Sequence, residues 1–158
     1  MSFESLREVP EMSNISQLDA VKIQARALIP VIKALEAELG EKETHKIVGR
    51  AIADSLVEFL STRLQEQDMH PAELDFGETP TVHDILEHTD KAFAYNVTKC
   101  GFADYFRNKG EEEIGYLMLC ATDFAVNEAL CPNWEFRRTQ TLMEGASYCD
   151  FRYQLRKE

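Results

Sequence analysis

The stretch Ala92-Phe-Ala-Tyr-Asn-Val-Thr-Lys-Cys100-Gly-Phe-Ala-Asp-Tyr-Phe-Arg-Asn108 decides the fold class. In its first part Phe93, Tyr95 and Val97 alternate with Ala94, Asn96 and Thr98, the period of two that an extended strand imposes. After Gly101 the period changes. Phe102, Tyr105 and Phe106 recur at steps of three and one, with Gly110 closing the run, so a short helix follows the strand directly.

Working upstream, the chain reads as helical. Ser16, with Asp19 three residues on, forms an N-cap box. Leu18, Val21, Ala25, Leu28, Ile32, Leu35 and Leu39 then recur at steps of three and four, and Gly40 stands where a C′ glycine belongs. Pro30 predicts a kink, or a fresh start near Ile29. A second helix is expected from about Glu41 to Gln65, with Ile47, Val48, Ala51, Ile52, Leu56, Phe59 and Leu60 on its buried side. These stripes last about three heptads, which suits packing on a sheet better than a coiled coil. Residues 66–80 hold Pro71, Gly77 and Pro80 among acidic neighbours and read as a connecting loop, a candidate linker or movable lid.

Downstream, a stub at Ile85–Glu87 is expected to pair with the 92–100 strand through a turn at Thr89-Asp90. Glu111, Glu112 and Glu113 open a helix, where negative charge suits the dipole, and it continues through Ile114, Leu117, Met118, Ala121 and Ala125. Pro132 ends it. Strands are then expected from Trp134 to Leu142 and from Tyr148 to Leu155, joined by a turn around Glu144-Gly145-Ala146. On the last strand Cys149, Phe151, Tyr153 and Leu155 share one face, and Asp150, Arg152 and Gln154 the other. The predicted class is α+β: N-terminal helices on one face of a small antiparallel β-sheet, with two further helices inserted between strands. We expect a single domain over 1–158, with a flexible N-terminal segment over 1–15.

A chain of 158 residues can bury one good core. Its net charge of −11 argues against nucleic acid and against an anionic membrane surface, both of which call for clustered Lys and Arg. No run approaches the ~18 apolar residues of a membrane span, and the first ten residues lack the apolar core of a leader peptide. The expectation is a cytoplasmic protein. Cysteines 100, 120, 131 and 149 contain no C-x-x-C pair, so free thiols are the default in a reducing compartment. No G-x-S-x-G, P-loop, G-x-G-x-x-G or H-E-x-x-H motif occurs.

The chemistry-bearing residues concentrate in the C-terminal third. Cys120 and Asp123 are three apart, on one helical face, with Tyr116 and Asn127 one turn to either side. A carboxylate there can act as a general base toward water or orient a thiol, while a plain buried cysteine beside a surface aspartate is the blander reading. Cys100, Cys120 and Cys149 could instead bind a soft metal with Asp123 as fourth ligand, although their long spacings do not suggest it. Strand parity turns Arg138 inward with Trp134 and Phe136, so it needs a carboxylate partner from protein or ligand. Arg152 shares its face with Asp150, and the two could satisfy each other. The histidines read as solvated. His83 and His88, five apart, fall on opposite faces if extended.

Cys100-Gly-Phe-Ala-Asp-Tyr-Phe, Cys120-x-x-Asp123-Phe, Arg138-Thr139-x-Thr141-Leu142, Gly145 and Cys149-Asp150-Phe151-Arg152 together resemble the L-2-amino-thiazoline-4-carboxylic acid hydrolase family. The run Pro30-Val-Ile-Lys-Ala-Leu-Glu-Ala-Glu-Leu-Gly40 is similar to that family's N-terminal part. The resemblance implies hydrolytic opening of a cyclic amidine, 2-aminothiazoline-4-carboxylate giving N-carbamoyl-cysteine, without a cofactor. On this reading Cys120, Asp123, Cys149 and Asp150 are the candidate catalytic residues. Cys100, Asn127, Arg138, Thr139, Thr141 and Arg152 are the candidate substrate-binding ones, with Arg138 holding the substrate carboxylate and Asp150 the amidine. The implied partner is a small molecule bearing a carboxylate, and self-association stays open. Helices followed by a small cysteine-bearing sheet are also similar to small-ligand-binding domains of the vinyl-reductase type, which leaves a non-catalytic sensor as the alternative.

Overall fold

The computed structural model describes residues 15–64, 69–74 and 77–157. The expected N-terminal segment, apart from Ile15, and parts of the 66–80 loop lie outside them. Helix α1 spans Gln17–Leu39, and Ser16 Oγ accepts from the Asp19 amide at 3.1 Å as the cap box requires. Gly40 ends it at φ +81°, with its N–H on Glu36 O. The fresh start expected near Ile29 does not occur: Pro30 sits inside one continuous helix. Val21, Ala25 and Ile32 anchor both of its halves in one core, and packing outweighs the local cost of proline.

Helix α2 spans Glu41–Leu64. Its expected buried face needs correction, because Ile47, Ala51 and Phe59 are exposed. Its inward row is 44, 48, 52, 56 and 60, spaced by four, with Val57 beside it: Thr44 is buried, and Val48, Ile52, Leu56, Val57 and Leu60 pack on the two cores. A single 3-10 turn at Pro71–Glu73 follows.

Four antiparallel strands form one sheet in the order β1-β2-β4-β3: β1 Thr81–His88, β2 Ala92–Cys100, β3 Trp134–Arg137 and β4 Cys149–Leu155. β2 has the limits its alternation predicts. β1 is longer than the expected stub, because its backbone pairs along nearly all of β2, where a mostly exposed side-chain pattern leaves little apolar signal. Thr89 closes the hairpin, its N–H on Ala92 O at 2.8 Å and its Oγ1 accepting from Ala92 N at 2.9 Å. β3 stops at Arg137, well short of Leu142, where hydrogen bonds to Asp150 and a turn at Thr141 take over the backbone.

His83 and His88 are exposed, as expected, but they do not fall on opposite faces. A bulge between Ile85 and Glu87 shifts the parity, so His83 meets Tyr95 and His88 meets Phe93, both at 5.3 Å between ring centroids. Nor is His70 merely solvated: its ring lies 4.6 Å from that of Trp134. His45 pairs with Glu36 at 2.6 Å.

α3 spans Gly101–Arg107. α4, Glu112–Gly115, runs into a π-helical turn at Tyr116–Cys120 and then α5, Thr122–Leu130. Two cores result. One joins α1 to α3, α4 and Met143, and the other seals α2 and α5 onto the inner face of the sheet. Helices thus cover one face of a small antiparallel sheet, the α+β class expected. Gly115 lets α4 cross Phe106: an added Cβ would stand 2.5 Å from that ring. Gly115→Ala therefore overpacks the first core and lowers stability by about 1–3 kcal/mol, read as a shifted urea midpoint. No helix among the described residues is long and apolar enough to cross a membrane.

Candidate functional site

The site assembles where the π turn meets the inner face of the sheet. In that turn Ala121 N–H reaches Tyr116 O at 2.8 Å, an i→i+5 bond that widens the helix and leaves Cys120 at its end. Asp123 lies in the first turn of α5, and Arg138 comes directly after β3. Parity turns Arg138 inward, as the sequence requires, and its partner is Asp123. Nη1 donates to Asp123 Oδ2, and Nη2 donates to the Cys120 carbonyl at 2.8 Å. The guanidinium lies over Tyr116, Phe124 and Phe151 at 5.8, 5.2 and 5.4 Å from the ring centroids.

Exposure separates the two members of the pair. The Arg138 side chain is 2% exposed and that of Asp123 35%, so Asp123 is the more open member of the pair. Packing around the carboxyl still raises its pKa to about 6, with Arg138 pulling the other way.

Cys100, Cys120 and Cys149 lie within electrostatic reach of one another and of Asp123. Cys149 Sγ accepts from Leu142 N at 3.2 Å, and Cys100 Sγ from Ala103 N at 3.4 Å, capping α3. Burial nonetheless pushes all three thiols up, Cys120 furthest, and Asp123 adds to the rise at Cys120. All three are therefore protonated at neutral pH. Among the described residues no group of three or more His, Cys, Asp or Glu is placed to hold a metal ion. Cys131 is buried in the second core, away from these thiols.

Two phenols complete the inner wall. Tyr95 stacks on Phe151 at 4.7 Å and lies within reach of Asp123, Arg138 and Cys149. Tyr153 interacts with Tyr95 and with Asn127. Desolvation raises the pKa of both phenols, so both stay protonated.

The remaining candidates stand elsewhere. Asp150, on the outer face of β4, accepts from Thr139 N at 2.9 Å, Thr139 Oγ1 at 2.7 Å and Gln140 N at 2.8 Å. Burial works upward on its pKa, but these bonds outweigh it and hold the carboxyl below the usual range. Arg152, also outward, does not pair with Asp150. It donates to Tyr95 O, Phe151 O and Asn96 Oδ1, each at 2.8 Å. Thr141 is buried and pins a turn through Glu144.

The structure therefore joins Cys100, Cys120, Asp123, Asn127, Arg138 and Cys149, leaves Thr139, Thr141 and Asp150 as braces of the 138–149 connection, and places Arg152 as a tie between β2 and β4. Asp150→Asn removes a charged acceptor of three bonds and costs about 1–3 kcal/mol at pH 7. Because this carboxyl is depressed in the fold, its contribution is present above the unfolded pKa and lost as pH falls through the folded one. The deficit measured by urea denaturation therefore shrinks in acid. Sequence reading missed Tyr95 and Tyr153, whose signal was a tyrosine at an inward position of a half-buried strand.

Among the described residues, surface hollows lie away from this cluster at His70, Glu73, His88 and Asp90 and across Glu87, Glu135, Arg137 and Arg152. Neither includes Asp123. A model of a family described as L-2-amino-thiazoline-4-carboxylic acid hydrolase matches residues 20–153. No curated protein matches the chain. Among solved structures, the phenol-responsive sensory domain of the transcription activator PoxR, determined with phenol, is similar at a TM-score of 0.45 and 14% identity, covering 82% of this chain and 73% of that one.

Proposed function

The chain belongs to the L-2-amino-thiazoline-4-carboxylic acid hydrolase family, and from that membership and the site geometry we propose that it hydrolyses a small cyclic amidine, with Asp123 as the general base. The supporting observation is the state of Asp123: held by a buried guanidinium, on the more open side chain of the pair, and tuned to about 6, near the working range of a base at neutral pH.

In this reading Asp123 takes a proton from water as the oxygen attacks C2 of the 2-aminothiazoline ring. The tetrahedral intermediate collapses by breaking C2–S as C2=O forms; the proton held on Asp123 passes to the leaving sulfur, and the proton of the added hydroxyl ends on the ring nitrogen. One water is consumed and N-carbamoyl-cysteine is formed. The raised pKa of Cys120 favours water over a thiol as the nucleophile. Arg138 acts as a positioning residue. An incoming substrate meets the Asp123 carboxylate rather than the guanidinium, which favours an approach by the amidine end instead of the carboxylate end.

The protonated thiols and the ring-lined interior also support a second reading, a sensor that holds a small ligand without converting it. One assay separates the two. Incubation with 2-aminothiazoline-4-carboxylate, followed by thiol titration and intact mass, releases one thiol per substrate and leaves no adduct if the enzyme reading holds. Stoichiometric binding without thiol release moves the conclusion to the sensor.

A further inference from the structure

Asn127 is 6% exposed on α5, one turn beyond Asp123 on the same helical face. Its Nδ2 donates to the Asp123 carbonyl at 2.7 Å, which fixes the amide: turned over, it would set oxygen against oxygen. Oδ1 is thereby identified as the acceptor, and it is buried without a hydrogen-bond partner among the described residues. Leaving such an acceptor unpaired is costly for a fold, and leucine of similar volume would avoid the cost. Asn127 also lies against Tyr153, whose neighbour Tyr95 reaches the Asp123–Arg138 pair, so the orphan oxygen belongs to the same interior network.

We infer that Asn127 Oδ1 accepts an N–H of the bound ligand and acts with the Asp123 carboxylate, so that the site selects small ligands presenting two neighbouring N–H donors, as amidines, guanidines and ureas do. The inference rests on the reading of Asp123 as the group that meets the substrate. Two acceptors one helical turn apart discriminate by hydrogen bonding, which rejects a shape-matched ligand lacking the donor far better than an apolar wall can.

The test uses two probes of one shape, 2-aminothiazoline-4-carboxylate and its 2-methyl counterpart, with binding followed by calorimetry and stability by thermal melting. Wild-type protein is expected to prefer the amino probe by about tenfold or more. Asn127→Leu erases that preference while its Tm stays equal or rises, the signature of an acceptor kept for a ligand at the expense of the fold. Asn127→Ala also removes the acceptor without adding bulk or charge; it too erases the preference, and it serves as the deciding variant if Asn127→Leu does not fold.

A lower Tm with the preference intact in Asn127→Leu assigns Oδ1 to the fold and overturns the inference. So does a wild-type protein that does not distinguish the probes, or a preference kept in Asn127→Ala with the fold intact. Discriminating binding without thiol release removes the hydrolase reading and leaves the inference standing.

Discussion

Asp123→Asn lowers thiol release from 2-aminothiazoline-4-carboxylate by about a thousandfold, within the range that loss of a general base produces. Asparagine keeps the shape of the side chain and can still accept one bond from Arg138, so the loss reports basicity rather than position. The pH profile supplies an independent check. A base is active when ionised, so the wild-type rate rises with pH through about 6, the value to which packing lifts this carboxyl. The variant's residual rate shows no such rise. Stability moves in the opposite sense. A carboxyl whose folded pKa lies above its unfolded one binds its proton more tightly in the fold, so its ionisation costs stability. Between about pH 4 and pH 6 the wild type therefore loses ground to Asp123→Asn in urea denaturation, although it gains activity. A profile in which wild type and variant rise together would assign the titration to another group.

The largest stability effect belongs to Arg138→Met, at about 3 kcal/mol, the low end of the cost of breaking a buried ion pair because Asp123 is partly open to water. Methionine follows the arginine's path between the rings but leaves the carboxylate without its countercharge and the Cys120 carbonyl without its donor. Protonation relieves the first loss. The deficit is therefore largest near pH 8 and shrinks toward pH 5, where Asp123 takes up its proton. Arg138→Lys restores the charge but recovers only part of the stability, since one ammonium cannot reproduce a planar fork that serves two acceptors beneath three rings. An equal deficit at both pH values would show that packing, and not the charge pair, holds this corner together.

Strong periodicity carried through to the fold. The alternation at 93–98 yielded β2, the cap at Ser16 and the glycine at 40 bracket α1, and parity on β4 placed Cys149 inward and Asp150 outward. Weak or conflicting signals did not carry through. The mostly exposed residues of β1 hid most of a strand, and the stripe on α2 was misplaced at Ile47, Ala51 and Phe59. Which of two adjacent apolar rows is buried depends on where α1 and α5 lie, and spacing within α2 contains no such information.

The candidate site divides in the same way. Sequence alone determined that Arg138 turns inward and requires a carboxylate, because parity and the cost of an unpaired buried charge are local facts. It also pointed to the family, which the match over residues 20–153 bears out. Only the tertiary structure decided that the carboxylate is Asp123, that Asp150 braces the 138–141 backbone, and that Arg152 serves carbonyls and Asn96. Those assignments depend on distances between segments far apart in the chain. The widened turn before α5, which places Cys120 at its end with only Ala121 between it and the helix of Asp123, leaves no mark in the period of the sequence.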